Sequence, residues 1–415
     1  MPHSNCGELN KSTRPTQAVV LAGGRGTRLR PLTDSRPKPM IEFHGKPFLE
    51  YLIELVRDQG FERVLLLLGY LPEAIQGYCG DGSRWGVSID YSVSDVDDDT
   101  GRRLKLAASR IDPLFLFMYC DNYWPMSFDT MWKRYLDTGA SAMLTVYRNA
   151  DRYTKNNVRV DEDGWVVAYD KDRAAPDLRG VDIGFGVFRH EVLDLLPEEE
   201  NVCFERVVYP TLVAARQLQA FATDHRYYSV SSRARLALTE QFLARRPAVI
   251  LDRDGVLNNK PPRAAYVRSW DDWEWLPGTQ DALRLFKDAG YRVIVVSNQA
   301  GIARGAMTQA DLANIHARMK MEVCEAGGEI DAIYYCPHGW DDGCACRKPK
   351  PGMLYQAQRD FHLDLSRTYF IGDDERDGQA AEAAGCPWIL VSGERTLLEV
   401  ARELLLEKPV WQRVS

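Results

Sequence analysis

Short, continuous apolar runs recur along the chain at 19–21, 64–68, 89–93, 114–119 and 142–147, each bounded by polar or glycine-bearing residues. Runs of this length and continuity predict strands buried on both faces. The stretches between them have helical spacing. Alternating strands and helices predict an α/β fold with a largely parallel sheet covered by helices on both faces. Residues 232–246 keep helical spacing up to Pro247, where the pattern starts again. Ala248-Val249-Ile250-Leu251 runs directly into Asp252-Arg253-Asp254-Gly255, and further strands are predicted over 293–296, 330–335, 368–371 and 388–391. The restart predicts two domains, 17–246 and 247–415, behind a polar, disordered N-terminus over 1–16, with no long linker between them.

The 415 residues suit two or three domains, and 45% hydrophobic with 27% charged residues is ordinary for globular protein. A net charge of −7 argues against a general nucleic-acid partner, because phosphate backbones need a basic surface. Small phosphorylated substrates, which need only a local basic site, stay open. The apolar runs are too short to span a bilayer, and the first twenty residues lack a signal-peptide core. No membrane partner is expected. Nine scattered cysteines, an odd number, predict no disulfide framework and a reduced, cytoplasmic setting. The acidic run 95–99 reads as a solvated loop.

Four separated signals in the second half carry chemistry. They are Asp252-x-Asp254-Gly255-Val256 after a strand, Ser297-Asn298 at the end of the next, Arg347-Lys348-Pro349-Lys350-Pro351-Gly352, and Gly372-Asp373-Asp374-Glu375-Arg376-Asp377. Carboxylates at strand ends point into the crevice where open α/β sheets bind ligands. Phosphoryl transfer needs an in-line nucleophile, a proton donor for the leaving oxygen and positive charge around the equatorial oxygens. Magnesium and a lysine offset the repulsion between a carboxylate and a phosphate dianion. In this order the residues resemble the HAD phosphatase superfamily, over essentially all of 248–393. The resemblance implies Asp252 as nucleophile, Asp254 as general acid/base and Ser297 as a phosphoryl hydrogen-bond donor. It implies Lys348 as the neutralising cation, with Lys350 the lesser candidate. Magnesium would bind the Asp252 carboxylate, the Asp254 carbonyl and Asp373, with Asp377 orienting the metal or its waters.

Cys336-x-His338, five residues, then Cys344-x-Cys346 fits a closed tetrahedral site in which structural zinc folds a loop. With this loop, the segments Asp252–Asn258, Tyr266-Val267, 297–305 and 347–353 resemble the histidinol-phosphate and heptose-bisphosphate phosphatase group. They are most similar to the D-glycero-D-manno-heptose 1,7-bisphosphate 7-phosphatases. The short zinc loop suits the histidinol-phosphate branch as well. The resemblance implies a HAD-like fold without a large cap, substrate contacts from Asn298 and Arg347, and Arg304 as a lesser candidate.

In the first half, Leu21-Ala22-Gly23-Gly24-Arg25-Gly26-Thr27-Arg28-Leu29 follows a strand. Glycines there let backbone N–H groups reach phosphate oxygens. The string continues as Arg30-Pro-Leu-Thr33 and Pro37-Lys38-Pro39-Met40, with Gly45-Lys46-Pro47 and 80–87 beyond. It resembles the sugar-1-phosphate nucleotidyltransferases over about 17–243, which implies a Rossmann-like fold and a reaction between a sugar 1-phosphate and a nucleoside triphosphate. By that resemblance Arg28 and Lys38 supply charge, Gly23, Gly24 and Gly26 hold the nucleotide, Thr100 and Gly101 match a base-contacting segment, Lys171 binds substrate, and Asp121 binds magnesium. The chain departs from the family at Asp170-Lys171 and Asp182-Ile-Gly184. It departs also at Ser229, where many members carry a second metal-binding aspartate. Asp224 is the nearby carboxylate that could take that place.

Together the two resemblances imply consecutive steps on one chain, removal of a 7-phosphate and activation of the remaining 1-phosphate, and so a bifunctional enzyme of nucleotide-activated heptose synthesis. The expected cofactors are magnesium and structural zinc, and the expected nucleotide is GTP if the sugar is α-anomeric. The alternatives are an active phosphatase with a catalytically inactive nucleotide-sugar-binding module, or a histidinol-phosphate phosphatase. The association state, homo-oligomer included, is left open.

Overall fold

β1 (Gln17–Leu21) is buried over its whole length, as a central strand must be when helices cover both faces of its sheet. A computed structural model describes residues 14–262 and 264–406; residues 1–13 of the expected polar terminus lie outside these. The chain divides into two units between Leu243 and Ala244.

In the first unit β1 is followed by the hairpin β2 (Glu42–Phe43) and β3 (Lys46–Pro47), then α1 (Phe48–Asp58), β4 (Arg63–Leu68), α2 (Pro72–Cys79), β5 (Ser88–Val93) and α3 (Thr100–Ala107). Then come β6 (Leu114–Tyr119), β7 (Asn122–Tyr123), α4 (Phe128–Leu136), β8 (Ala142–Tyr147), β9 (Val158–Val160), β10 (Val166–Tyr169) and β11 (Val181–Arg189). The unit closes with α5 (Phe204–Ala214), β12 (Leu218–Thr223), β13 (Tyr228–Ser229) and α6 (Arg233–Leu243). Seven strands form one sheet in the order β12-β8-β11-β6-β1-β4-β5. All neighbours are parallel except β11, which runs antiparallel to both β6 and β8. Side chains alternate faces along a strand, so the sheet has two cores. Val20, Leu66 and Leu116 pack with α1 and α4, while Val19, Leu65 and Phe117 pack with α3 and α5.

The second unit comprises β14 (Ala248–Leu251), α7 (Thr279–Asp288), β15 (Arg292–Asn298), α8 (Gln309–Glu325), β16 (Ala332–Cys336), α9 (Gly352–Phe361), β17 (Tyr369–Gly372), α10 (Glu375–Ala384), β18 (Trp388–Leu390) and α11 (Leu397–Leu406). Its five strands are all parallel, in the order β16-β15-β14-β17-β18. Val249 and Leu251 join the core under α7, α8 and α11; Ala248 and Ile250 join the core under α9 and α10. The chain order crosses from β16 back past β14 to β17, and this reversal opens a crevice beyond the carboxyl ends of the strands. Among the described residues no helix is long and apolar enough to cross a membrane.

Candidate active sites

Asp252 leaves β14, Ser297 and Asn298 end β15, Asp373 follows β17, and Arg347 and Lys348, between β16 and α9, line the same cavity, so the four sequence signals converge on one end of the second sheet. A cavity of 860 Å³ there is lined by Asp252, Asp254, Ser297, Asn298, Arg347, Lys348 and Asp377, among others. Lys348 reaches its floor, with its side chain only 2% exposed. Its Nζ lies 2.8 Å from Asp252 Oδ1 and 2.7 Å from Asp377 Oδ1. Asp252, Asp373 and Asp377 offer carboxylate oxygens within 4.8 Å of one another.

Each of these groups is held by named partners. Asp377 sits in the first turn of α10, where its Oδ2 accepts from the Asp374 N–H in a capping box. Asn298 clamps the lysine segment: its Nδ2 donates to the Lys348 carbonyl and its Oδ1 accepts from the Lys348 N–H, both at 3.0 Å. Lys350 donates to the Gly343 carbonyl at 2.7 Å. Arg304 lies over the Trp340 ring, 4.7 Å from its centroid, and is not among the residues lining the cavity. Asp373 stands behind the lining against Gly255, whose φ of 94° and lack of a Cβ let the carboxylate approach.

Asp254 is held by residues that the motif reading passed over. The buried Arg253 guanidinium donates from Nε and Nη2 to Asp254 Oδ1, at 3.1 and 2.9 Å, and from Nη2 to Oδ2 at 3.0 Å. Asn258 Nδ2 and Gln299 Nε2 add bonds at 3.0 Å each, and Gln299 also donates to Ser297 Oγ at 2.7 Å. Arg253 and Gln299 lie within Asp252–Asn258 and 297–305, so charge and polarity next to a strand end were the available signal.

The two acids differ in their electrostatics. Burial pushes the Asp252 carboxyl up to about 7, against the pull of the Lys348 ammonium, and the Asp377 charge adds to the rise. Burial alone would raise Asp254 too, but the Arg253 guanidinium and the hydrogen bonds from Asn258 and Gln299 hold it below the usual carboxylate range. Lys348 stays above the ordinary lysine value: burial lowers it, and the two facing carboxylates outweigh burial.

The donor sets fit two metals. Asp373 Oδ1 is buried without a hydrogen-bond partner, and the carboxylate oxygens that Asp252, Asp373 and Asp377 bring close together are the hard donors that magnesium takes. In the loop, Cys336 Sγ lies 3.6 Å from Cys344 Sγ and 3.5 Å from His338 Nδ1, and Cys346 Sγ lies 3.2 Å from the same nitrogen. A tetrahedron with Zn–S near 2.3 Å has sulfur–sulfur edges of about 3.8 Å, so this donor set suits zinc.

The first unit has its own cleft of 350 Å³, lined by Gly23, Gly24, Gly26, Arg28, Lys38, Thr100, Asp121 and Ser231 among others. Lys38 Nζ pairs with Asp121 Oδ2 at 2.5 Å. Gly101 and Lys171 stand off this lining. The Gly101 N–H donates to Val202 O at 2.9 Å, and Lys171 Nζ lies 3.1 Å from Glu205 Oε2. Glu205 also accepts from Thr100 Oγ1 at 3.0 Å, so Lys171 reaches the cleft wall only through another side chain. Ser229 pairs with Asn122 next to Asp121, and its Oγ meets Ser231 Oγ at 2.8 Å. Two hydroxyls therefore stand beside Asp121. Asp224 is turned to Arg148 at 2.7 Å and is not in the lining. Arg103, buried and unremarked in the sequence, donates to the carbonyls of Leu68, Asp95 and Val96 and to Ser94 Oγ, and it packs on Gly23.

The Nucleotidyl transferase family matches residues 17–173, and the HAD-hydrolase-like family matches 345–409. The chain is 46% identical over 152 residues to a D-glycero-beta-D-manno-heptose-1,7-bisphosphate 7-phosphatase of Pseudomonas putida, covering 36% of this chain and 86% of that protein. Among solved structures it is similar to the D,D-heptose 1,7-bisphosphate phosphatase of B. bronchiseptica complexed with magnesium and phosphate. That likeness has 42% identity and a TM-score of 0.37, over 39% of this chain and 99% of the other. It is also similar to HddC of Yersinia pseudotuberculosis complexed with GMP-PN, at 23% identity and a TM-score of 0.44, over 54% of this chain and 96% of the other. With its HAD-like match in the second unit, the chain belongs to the D-glycero-beta-D-manno-heptose-1,7-bisphosphate 7-phosphatase family.

Proposed function

We propose that the protein is a bifunctional enzyme of nucleotide-activated heptose synthesis. The observation that carries the first activity is Lys348 lodged between Asp252 and Asp377 in a cavity that Asp254 and Ser297 also line. Asp252 attacks the phosphorus of the 7-phosphate of heptose 1,7-bisphosphate, forming an aspartyl-phosphate as the bond to the sugar oxygen breaks. Asp254, ionised in the free site, relays a proton from the bound phosphate monoester to that leaving oxygen and then takes one from the water that cleaves the aspartyl-phosphate. Lys348 balances charge on the nucleophile and the transferring group, and the Ser297 hydroxyl bonds to the phosphoryl oxygens. Asn298 fixes the Lys348 backbone, and Arg347 faces the substrate. Magnesium, held by the Asp252 and Asp373 carboxylates and the Asp254 carbonyl with Asp377 behind, would offset repulsion between nucleophile and phosphate.

In the first unit the glycines at 23, 24 and 26 cradle the nucleotide phosphates, while Arg28 and Lys38 supply charge and Asp121 a metal ligand. The sugar 1-phosphate attacks the nucleotide's α-phosphorus and pyrophosphate leaves. Thr100 contacts the base, and GTP is the nucleotide proposed. Zinc at Cys336, His338, Cys344 and Cys346 is structural. A second reading, in which the first unit only binds nucleotide sugar, is favoured by the Ser229 and Ser231 hydroxyls beside Asp121.

Phosphorus NMR of the protein with magnesium, GTP and heptose 1,7-bisphosphate tests both. Phosphate release followed by pyrophosphate and sugar-nucleotide signals is the expected result. Phosphate alone would leave the second reading, and no Asp252-dependent phosphate release would overturn the heptose assignment.

A further inference from the structure

We infer that Lys260 recognises the non-reacting phosphate of the substrate and so makes the phosphatase site select a bisphosphate over a monophosphate. The inference rests on the phosphatase reading above and names its substrate-selecting residue.

Lys260 stands just beyond the Asp252-x-Asp254 turn, on a segment whose base is pinned. Asn258 is fully buried and bridges to Asp254 and Trp275, and the Asn259 N–H donates to Glu274 O at 2.9 Å. The anchored segment carries Lys260 to the wall of the cavity that holds Asp252. Its Nζ lies 2.7 Å from Asp373 Oδ2 and 3.1 Å from Asp374 Oδ2, and its side chain is 43% exposed.

The basic groups lining the cavity are not equivalent: Arg253 is bound to Asp254, Lys350 donates to the Gly343 carbonyl, and Arg347 reaches the His338 carbonyl at 3.5 Å. Lys348 is buried on the floor, where the nucleophile meets the reacting phosphate, and is engaged by two carboxylates. Arg376 is paired with Asp374 through Nε at 2.8 Å and Nη2 at 2.9 Å. Lys260 is held by two carboxylates that other cations can satisfy: magnesium would take the Asp373 carboxylate, and Arg376 already balances Asp374. An ammonium beside a divalent cation is repelled from their common ligand. Its charge is then met most favourably by an anion in the cavity. A bisphosphate brings a second dianion that a monophosphate lacks, and the floor lysine cannot reach both ends of a seven-carbon sugar. A half-exposed lysine on the wall, with three rotatable donors, is chemically suited to that far phosphate.

The test compares Lys260→Gln and Lys260→Arg with wild-type full-length protein on heptose 1,7-bisphosphate and on heptose 7-phosphate, which presents the same reacting ester. The expected result for Lys260→Gln is a KM for the bisphosphate raised about tenfold, with kcat within threefold and the monophosphate kinetics unchanged. Lys260→Arg should restore the bisphosphate KM. Calorimetry with Asp252→Asn as the non-turnover background should show the same loss of bisphosphate affinity on adding Lys260→Gln. Equal losses on both substrates, an altered magnesium affinity with no change in selectivity, or no change at all would overturn the inference. Failure of the phosphatase reading has a different signature: wild-type protein releases no phosphate from heptose 1,7-bisphosphate or from heptose 7-phosphate. Calorimetric binding of fructose 1,6-bisphosphate against fructose 6-phosphate, with and without Lys260→Gln, then decides the role of Lys260 by itself.

Discussion

Gly255 has a φ of 94°, and a Cβ there would fall well inside van der Waals contact of the Asp373 carboxylate. Both facts forbid a side chain: one by backbone strain, the other by displacing the Asp373 carboxylate, the proposed metal ligand. Gly255→Ala is therefore expected to lower phosphatase kcat by about a hundredfold while costing only about 1–2 kcal/mol of stability, as read by steady-state rates and denaturant unfolding. His316 gives a pH-linked case. It is buried beneath Arg253, and burial, reinforced by the guanidinium, depresses its imidazole to about 3, although Asp254 works the other way. The folded chain keeps His316 neutral, while the unfolded chain protonates it near 6.5. Its effect on stability is therefore absent above 6.5 and becomes a loss as pH falls toward 3, at about 1.4 kcal/mol per pH unit. Denaturant midpoints at pH 7 and pH 5 should fall less for His316→Gln than for wild type.

At the scale of elements, the loop between β16 and α9 ties the cysteine–histidine cluster, the proposed zinc site, to Lys348 on the cavity floor. Cys346 stands two residues before Lys348, the Gly352 N–H donates to Ala345 O at 3.2 Å, and Asn298 grips the Lys348 backbone. A loop this short has no apolar core of its own, so a zinc ion on the four donors would fold it. Chelation or Cys344→Ser is expected to release one zinc per chain, raise hydrogen exchange across 336–352 and cut phosphatase kcat about tenfold by loosening Lys348. Metal analysis and exchange mass spectrometry check this, with pyrophosphate formation unchanged as the internal control. The β15 end shows the same logic: Gln299, outside the strand, bonds both Ser297 and Asp254 and so couples β15 to β14.

At the scale of the molecule, two sheets with two clefts predict separable activities. Asp252→Asn should abolish phosphate release and leave nucleotidyl transfer to heptose 1-phosphate intact. Asp121→Asn should do the reverse, losing transfer by at least about a hundredfold. Phosphorus NMR of each variant with each substrate reads both outcomes, and an Asp121→Asn variant with undiminished transfer would remove that residue from the metal site.

Much of this was legible along the chain. The strands appeared as continuous apolar runs because a strand covered on both faces must be apolar throughout, and β1, β4, β6, β8 and β14 fall where those runs lie. The glycine loop, Asp252-x-Asp254 and the cysteine–histidine cluster were visible because their chemistry needs certain residue types at close spacing. The antiparallel course of β11 was not, since strand direction is set by neighbours far away in sequence. Nor was the Arg253 clamp on Asp254, the engagement of Lys171 by Glu205, or the place of Asp373 behind the cavity lining against Gly255. Which groups stand at the strand ends follows from the order of residues alone, because local spacing and burial periodicity are short-range. Which carboxylate each cation faces was decided only when tertiary packing buried them together, since Coulombic and desolvation effects depend on distance and burial in space, not on distance along the chain.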